Sequence, residues 1–155
     1  MQLSKNFTKK EAIEWANTQS MSDKDKKYCI KLSTENWNDD VENKAKLIAN
    51  ELQLIRDKIN SEFPQYNGKI GLKILSWFRA KEWELHRKRS GNSEHTKGWA
   101  VDFIITNIPD KFVPIIMDWL WIDLHNWNGG LARFYKNKKW TFIHIDLGRK
   151  RRWEY

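Results

Sequence analysis

From Val41 to Ile59 the apolar residues Val41, Ala45, Ile48, Leu52, Ile55 and Ile59 recur at steps of three and four, the period that lines them along one face of a helix. This is the strongest periodic signal in the chain. Upstream, Thr8 stands three residues before Glu11, a capping-box spacing that opens an amphipathic helix through Ala12, Ile13, Trp15 and Ala16. The stretch after it is polar, rich in Ser, Asp and Lys, and carries no predicted element. Pro64 and Gly68 end the long helical region. Ile70, Leu72 and Ile74 then alternate with Gly71, Lys73 and Leu75, which suits a strand from Ile70 to Phe78 that leads directly to Arg79.

A short helical piece from Lys81 to Lys88 gives way to a polar loop, Arg89 to Gly98, and Ala100 to Ile105 reads as a buried strand. Pro109 and Asp110 mark the next boundary. Phe112 to Leu124 is apolar enough for a largely buried helix, ending before Asn126 and the Gly129-Gly130 pair. Two further strands, Leu131 to Tyr135 and Lys139 to Leu147, flank Asn137 and suggest a hairpin. Helices dominate the first half and strands the second, without βαβ alternation. The prediction is therefore α+β: a single domain over residues 1–155 with a mainly antiparallel sheet flanked by helices.

A chain of 155 residues can bury one core without disulfides or an obligatory partner. The 40% hydrophobic and 31% charged content excludes a disordered or membrane-embedded chain. The ten Trp are unusual, and each can fill the core or stack at a binding groove. A net charge of +8 draws the protein toward polyanions, whether nucleic acid, anionic lipid or anionic cell wall. Cys29 stands alone, which excludes an internal disulfide and a thiolate zinc cluster and fits a small buried hydrophobe. No apolar run follows the N-terminal basic residues, so no secretory signal is expected. Nor does any stretch reach the length of a membrane span.

Candidate chemistry centres on histidine. His95 lies seven residues before Asp102; on one helix the pair would stand ~10 Å apart. A shared site therefore requires a chain reversal, for which Gly98 supplies the backbone freedom. On the last strand, period-two alternation groups Trp140, Phe142, His144 and Asp146 on one face, with Thr141, Ile143 and Ile145 on the other. His144 and Asp146 are then ~6.5 Å apart between Cα atoms, close enough to serve one site. His86, among charged residues, and His125, near a helix end, need no special role.

The string Ser93-Glu94-His95-Thr96-Lys97-Gly98-Trp99-Ala100-Val101-Asp102 matches S-x-H-x-x-G-x-A-x-D. It resembles the M15 family of zinc peptidases, the D-alanyl-D-alanine carboxypeptidase-like group that includes phage endolysins. The likeness continues in Leu3 to Thr8, in Ser76-Trp77-Phe78-Arg79, in Gly129-Gly130-Leu131-Ala132-Arg133, and in His144-Ile145-Asp146-Leu147-Gly148 with Arg152-Trp153. The resemblance implies that His95, Asp102 and His144 hold Zn2+ and that Arg79 holds a substrate carbonyl or carboxylate beside it.

Several members of the family carry an acidic residue three positions before the last zinc His, where this chain has Thr141. Asp146, on the face of His144, is the replacement candidate for general base. Its other reading is a group that orients a ligand or pairs with Arg149 or Arg152, and Glu94 is a further candidate base. The expected function is hydrolysis of peptide bonds in the peptidoglycan stem peptide, as carboxypeptidase or endopeptidase. The expected partners are stem peptides, with no nucleic acid and no stable membrane association, and the expected state is a monomer. With no signal peptide, the enzyme would be made in the cytoplasm and reach the wall after phage-type release or from a virion. The alternative is a catalytically inactive module of the same fold that binds the wall.

Overall fold

A computed structural model of the protein describes residues 1–155 throughout. The chain begins with three helices, α1 (Lys9–Glu14), α2 (Asp23–Glu35) and α3 (Asp39–Glu62), then β1 (Gly71–Ser76), α4 (Lys81–His86) and β2 (Ala100–Thr106). It continues with α5 (Val113–Asp123), β3 (Gly130–Lys136), β4 (Lys139–Asp146) and β5 (Arg151–Glu154). The strands form one sheet in the order β1-β2-β4-β3-β5, antiparallel except where β5 runs parallel to β3. The protein is thus a compact α+β domain with a mostly antiparallel sheet.

Local chemistry explains most of these elements. The Thr8 side chain accepts from the Glu11 amide while Glu11 reaches back to the Thr8 amide, so the predicted capping box is formed. α1 ends at Glu14, earlier than the apolar pattern suggests, because Trp15–Thr18 tighten into a 3₁₀ turn. α3 buries every residue of its predicted stripe and adds Ala49. The polar stretch before it holds α2, whose start is capped by Ser22 accepting from the Asp25 amide. Only Cys29, Leu32 and Ser33 of α2 are buried, too thin a stripe to register as a period. Between β3 and β4, Asn137 and Lys138 have φ of 53° and 59°, the paired positive values of a tight type I′ hairpin. β5 was not predicted, since four residues of a basic tail carry no alternation.

The two faces of the sheet differ. Ile74, Val101, Phe103, Ile105, Ile143 and Ile145 join the buried stripe of α3 and the inner face of α5 in one apolar core. The other face carries the buried polar residues Ser76, Asp102, His144 and Asp146. Bulges decide membership at two places. In β1 the register shifts between Ile74 and Ser76, so Ile74 pairs with Phe103 on the core face while Ser76 pairs with Asp102 on the polar one. In β4 the shift at Thr141 corrects the predicted face: Trp140 lies with the core, donating to Asp118 of α5, and not beside Phe142 and His144. The outer edge of β1 is covered where Thr18 and Gln19 donate to the Ile74 and Leu75 carbonyls.

Leu52 is fully buried where α3 meets the core. Leu52→Ala is expected to cost about 2–5 kcal/mol of folding stability, seen as a lower midpoint in urea denaturation at unchanged slope.

Candidate metal centre

Strand register builds the centre. Asp102 lies directly opposite His144, and Ala100 directly opposite Asp146. On the far side of β4, Ala132 faces His144 and Gly130 faces Asp146, while Trp153 and Arg151 of β5 continue the two rows. Opposed residues share a face, so the rows run Ser76, Asp102, His144, Ala132, Trp153 and Ala100, Asp146, Gly130, Arg151. The small members leave room for the large ones. A Cβ at Gly130 would sit inside the Asp146 carboxylate, and one at Gly129 would strike the Asp146 carbonyl.

His95 reaches the same place from outside the sheet. It sits in the 3₁₀ turn Glu94–Lys97, which Gly98 ends at φ 87°, with a Cβ there only 3.0 Å from the Val41 carbonyl oxygen. Trp77 holds this reversal twice: its indole donates to the Gly98 carbonyl at 2.9 Å, and its carbonyl accepts from His95 Nδ1 at 2.7 Å. A carbonyl can only accept, so Nδ1 carries the proton and Nε2 presents its lone pair inward. Nε2 lies 3.4 Å from Asp102 Oδ1.

His144 is flanked by two carboxylates, with Nδ1 2.7 Å from Asp102 Oδ1 and Nε2 2.9 Å from Asp146 Oδ2. Asp146 is fully occupied. Its Oδ1 accepts from the Gly130 and Gly148 amides and its Oδ2 from Arg151 as well as His144. The ion-pair partner is Arg151, not Arg149 or Arg152; Arg152 instead donates to the carbonyls of Gly129, His125 and Trp127. Arg79 donates to the second oxygen of Asp102 at 3.1 Å, to Glu84 at 3.1 Å and to Ser76 Oγ at 2.8 Å. Two of its five N–H groups remain free of these bonds.

These contacts set the charge states. Burial pulls the His144 imidazole down, but hydrogen bonds to Asp102 and Asp146 and their charges outweigh it and raise its pKa to about 9. Burial, and then the positive charge of Arg79, lower His95, which stays neutral. Burial opposes ionisation of Asp102, yet the neighbouring imidazoles hold its carboxyl well below the usual carboxylate range. The same contest leaves Asp146 strongly depressed, held by His144, Arg151 and the Gly148 amide.

One donor atom from each of His95, Asp102 and His144 lies within 4.8 Å of the others, and all three residues are buried. Bonds of about 2.1 Å at tetrahedral angles separate donors by about 3.4 Å, the spacing already found between His95 and Asp102. The 2.7 Å between His144 and Asp102 is a hydrogen bond that must open when a cation replaces the shared proton. The donor set therefore fits a metal ion. Its open side is a groove of about 420 Å³ that also carries Phe134, Phe142 and Trp153.

Fold and centre together define an α+β protein with a buried His-Asp-His group able to hold a metal ion. No protein-family model matches the chain, and no curated protein and no solved structure matches it.

The residues singled out from the sequence meet here: His95, Asp102 and His144 converge, Arg79 touches Asp102, Asp146 touches His144, and Glu94 lines the groove beside them. His86 packs on Trp83 near Asp25, and His125 lies beside Trp121, both apart from the group. Sequence reasoning missed Glu84 and Arg151. Glu84 lies on a helix of only six residues, and Arg151 on a strand of four.

Two outcomes test the centre. In chelator-treated protein, the raised pKa of His144 gives stability that is complete below its unfolded value of 6.5 and is lost as pH rises through about 9. The depressed His95 contributes above 6.5 and loses that contribution as pH falls. Denaturant unfolding of the metal-free protein should therefore be most resistant near pH 6.5, and Asp146→Asn should flatten the alkaline limb. The same substitution should weaken metal binding roughly 10- to 100-fold by chelator competition, since it releases the ring that His144 presents.

Proposed function

We propose that the protein is a zinc-dependent peptidase that hydrolyses peptide bonds in the peptidoglycan stem peptide. The observation that carries this reading is the donor set: two imidazoles and one carboxylate, buried together at the foot of an open groove. Catalytic zinc sites use three such ligands and keep one position open, and that position would face the groove. The resemblance of several separated segments to the M15 zinc peptidases supports the same assignment. Zinc, when bound, supplies a Lewis acid that polarises a carbonyl and makes water nucleophilic near neutral pH.

The chain's own residues divide the remaining work. Asp146 we assign to holding His144 and not to proton transfer, because the Gly130 and Gly148 amides, His144 and Arg151 together use all four of its lone pairs and it is wholly buried. Glu94 is the carboxylate on the groove wall that is not a metal donor, and we assign it the proton. Its oxygens are held by Lys97 and by the Trp99 indole at 2.6 Å, which fixes its position. Arg79 keeps Asp102 in place and retains N–H groups for the carbonyl oxygen as charge develops there. The net charge of +8 favours approach to an anionic wall, which suits action after phage-type release or from a virion.

The second reading, a wall-binding module without catalysis, is favoured by Thr141, which stands where several M15 peptidases carry an acidic residue and cannot take a proton. Mass spectrometry of muropeptides after digestion separates the two. Wild type should release new stem-peptide fragments, His144→Ala none, and Glu94→Gln about 10²- to 10⁴-fold fewer per unit time. Identical fragment patterns for wild type and His144→Ala, with one zinc per wild-type chain, would sink the enzymatic reading in favour of the binding module.

A further inference from the structure

Two depressions meet at the metal centre. The groove already described, about 420 Å³, adjoins a second of about 450 Å³ that contains Met21, Trp83, Arg87 and Thr141. Arg79, Arg89, Asp102 and Phe142 belong to both. Arg89 thus stands at the junction, on the same wall as a metal donor.

Positive charge exceeds its partners there. Glu84, buried on α4, takes a hydrogen bond from Arg79 at 3.1 Å and lies 3.6 Å from Arg89, too far to be a hydrogen bond. Arg87 is 3.8 Å from Asp25. Asp102 is committed to the imidazoles through one oxygen and to Arg79 through the other. Arg79 is thus matched by Asp102 and Glu84, which leaves Arg89 only a share of Glu84 and Arg87 a distant Asp25. The loop that presents Arg89 is nonetheless defined, since its amide donates to the Glu84 carbonyl and Lys88 turns the chain at φ 56°. Its side chain is about half open to solvent, at 48%. Burial, and then the like charge of Arg79, depress the guanidinium below its ordinary value, a strain that an anion would relieve.

We propose that Arg89 anchors a carboxylate of the substrate at the junction of the two depressions, with Arg87 beside it, so that the site selects acidic peptides over neutral ones. That the ligand is a peptide rests on the peptidase reading; the anion subsite rests on the groove alone. A guanidinium fork matches a carboxylate with paired donors. Seated there, an acidic residue of the substrate would lie against Asp102's side of the centre and leave the aromatic groove to its other residues.

The test uses a synthetic stem pentapeptide with free carboxylates and the same peptide with them converted to carboxamides. Equilibrium binding of both to zinc-loaded wild type, Arg89→Gln and Arg89→Lys is measured by competition with a labelled copy, alongside cleavage. Wild type should prefer the acid form by roughly 10- to 100-fold, the scale of a charge-assisted hydrogen bond. Arg89→Gln should bring the ratio close to one at unchanged zinc content, and Arg89→Lys should restore part of it. An equal preference in wild type and Arg89→Gln, or none in wild type, would overturn the subsite. A preference that depends on Arg89 without any cleavage would keep the subsite and remove the peptidase reading. If Arg89→Gln loses zinc or its cooperative melt, the ratio in Arg89→Lys decides: a wild-type ratio counts against the proposal and a reduced one supports it.

Discussion

Asp102 and His144 face each other across two hydrogen-bonded strands, and a slip of one residue between β2 and β4 would send one of them into the apolar core. That register is enforced from the other side of the sheet, where Val101 meets Ile145 and Phe103 meets Ile143 in the dry core. Hydrophobic burial thus aligns a polar centre to which it contributes no atom. Once aligned, the buried charges need one another. Stripping a carboxylate of water costs several kcal/mol, and each of Asp102 and Asp146 recovers that through an imidazole and an arginine.

The polar chain runs nearly the full width of the sheet, from Ser76 through Arg79, Asp102, His144 and Asp146 to Arg151. Each link uses donors or acceptors that would otherwise be buried without partners, which makes the chain stiff. Three indoles fasten the backbone around it: Trp15 to the Phe78 carbonyl, Trp77 to Gly98 and Trp127 to Asp146. These three of the ten Trp thus combine a ring packed on the core with an N–H bonded to backbone beside the centre.

Around this rigid floor the walls differ in kind. On one side Phe134 stacks on Phe142 at 4.0 Å and on Tyr155 at 4.5 Å, with Trp153 beside His144. On the other stand Arg79, Arg87 and Arg89. A ligand crossing the centre would meet apolar rings in one direction and guanidiniums in the other. An extended peptide with an acidic residue has that asymmetry.

The sequence by itself determined the elements whose signals are local. The α3 stripe, the Thr8 capping box and the Asn137 hairpin stand as read, because helix period, side-chain caps and positive φ act over a few residues. His95 and Asp102 were legible through an extended motif, and His144 through its strand face and a second motif. α2 and β5 were not, since the first buries too little of itself and the second exists only because β3 offers an edge. Tertiary structure alone decided the face of Trp140, which a bulge at Thr141 reverses, and the choice of Arg151 over its neighbours as the partner of Asp146. It also decided that Gly130 opposes Asp146, that Glu84 is shared by Arg79 and Arg89, and that Arg89 stands on the metal centre's wall. These are contacts across strands and loops, set by register and packing, and register is a property of two segments together.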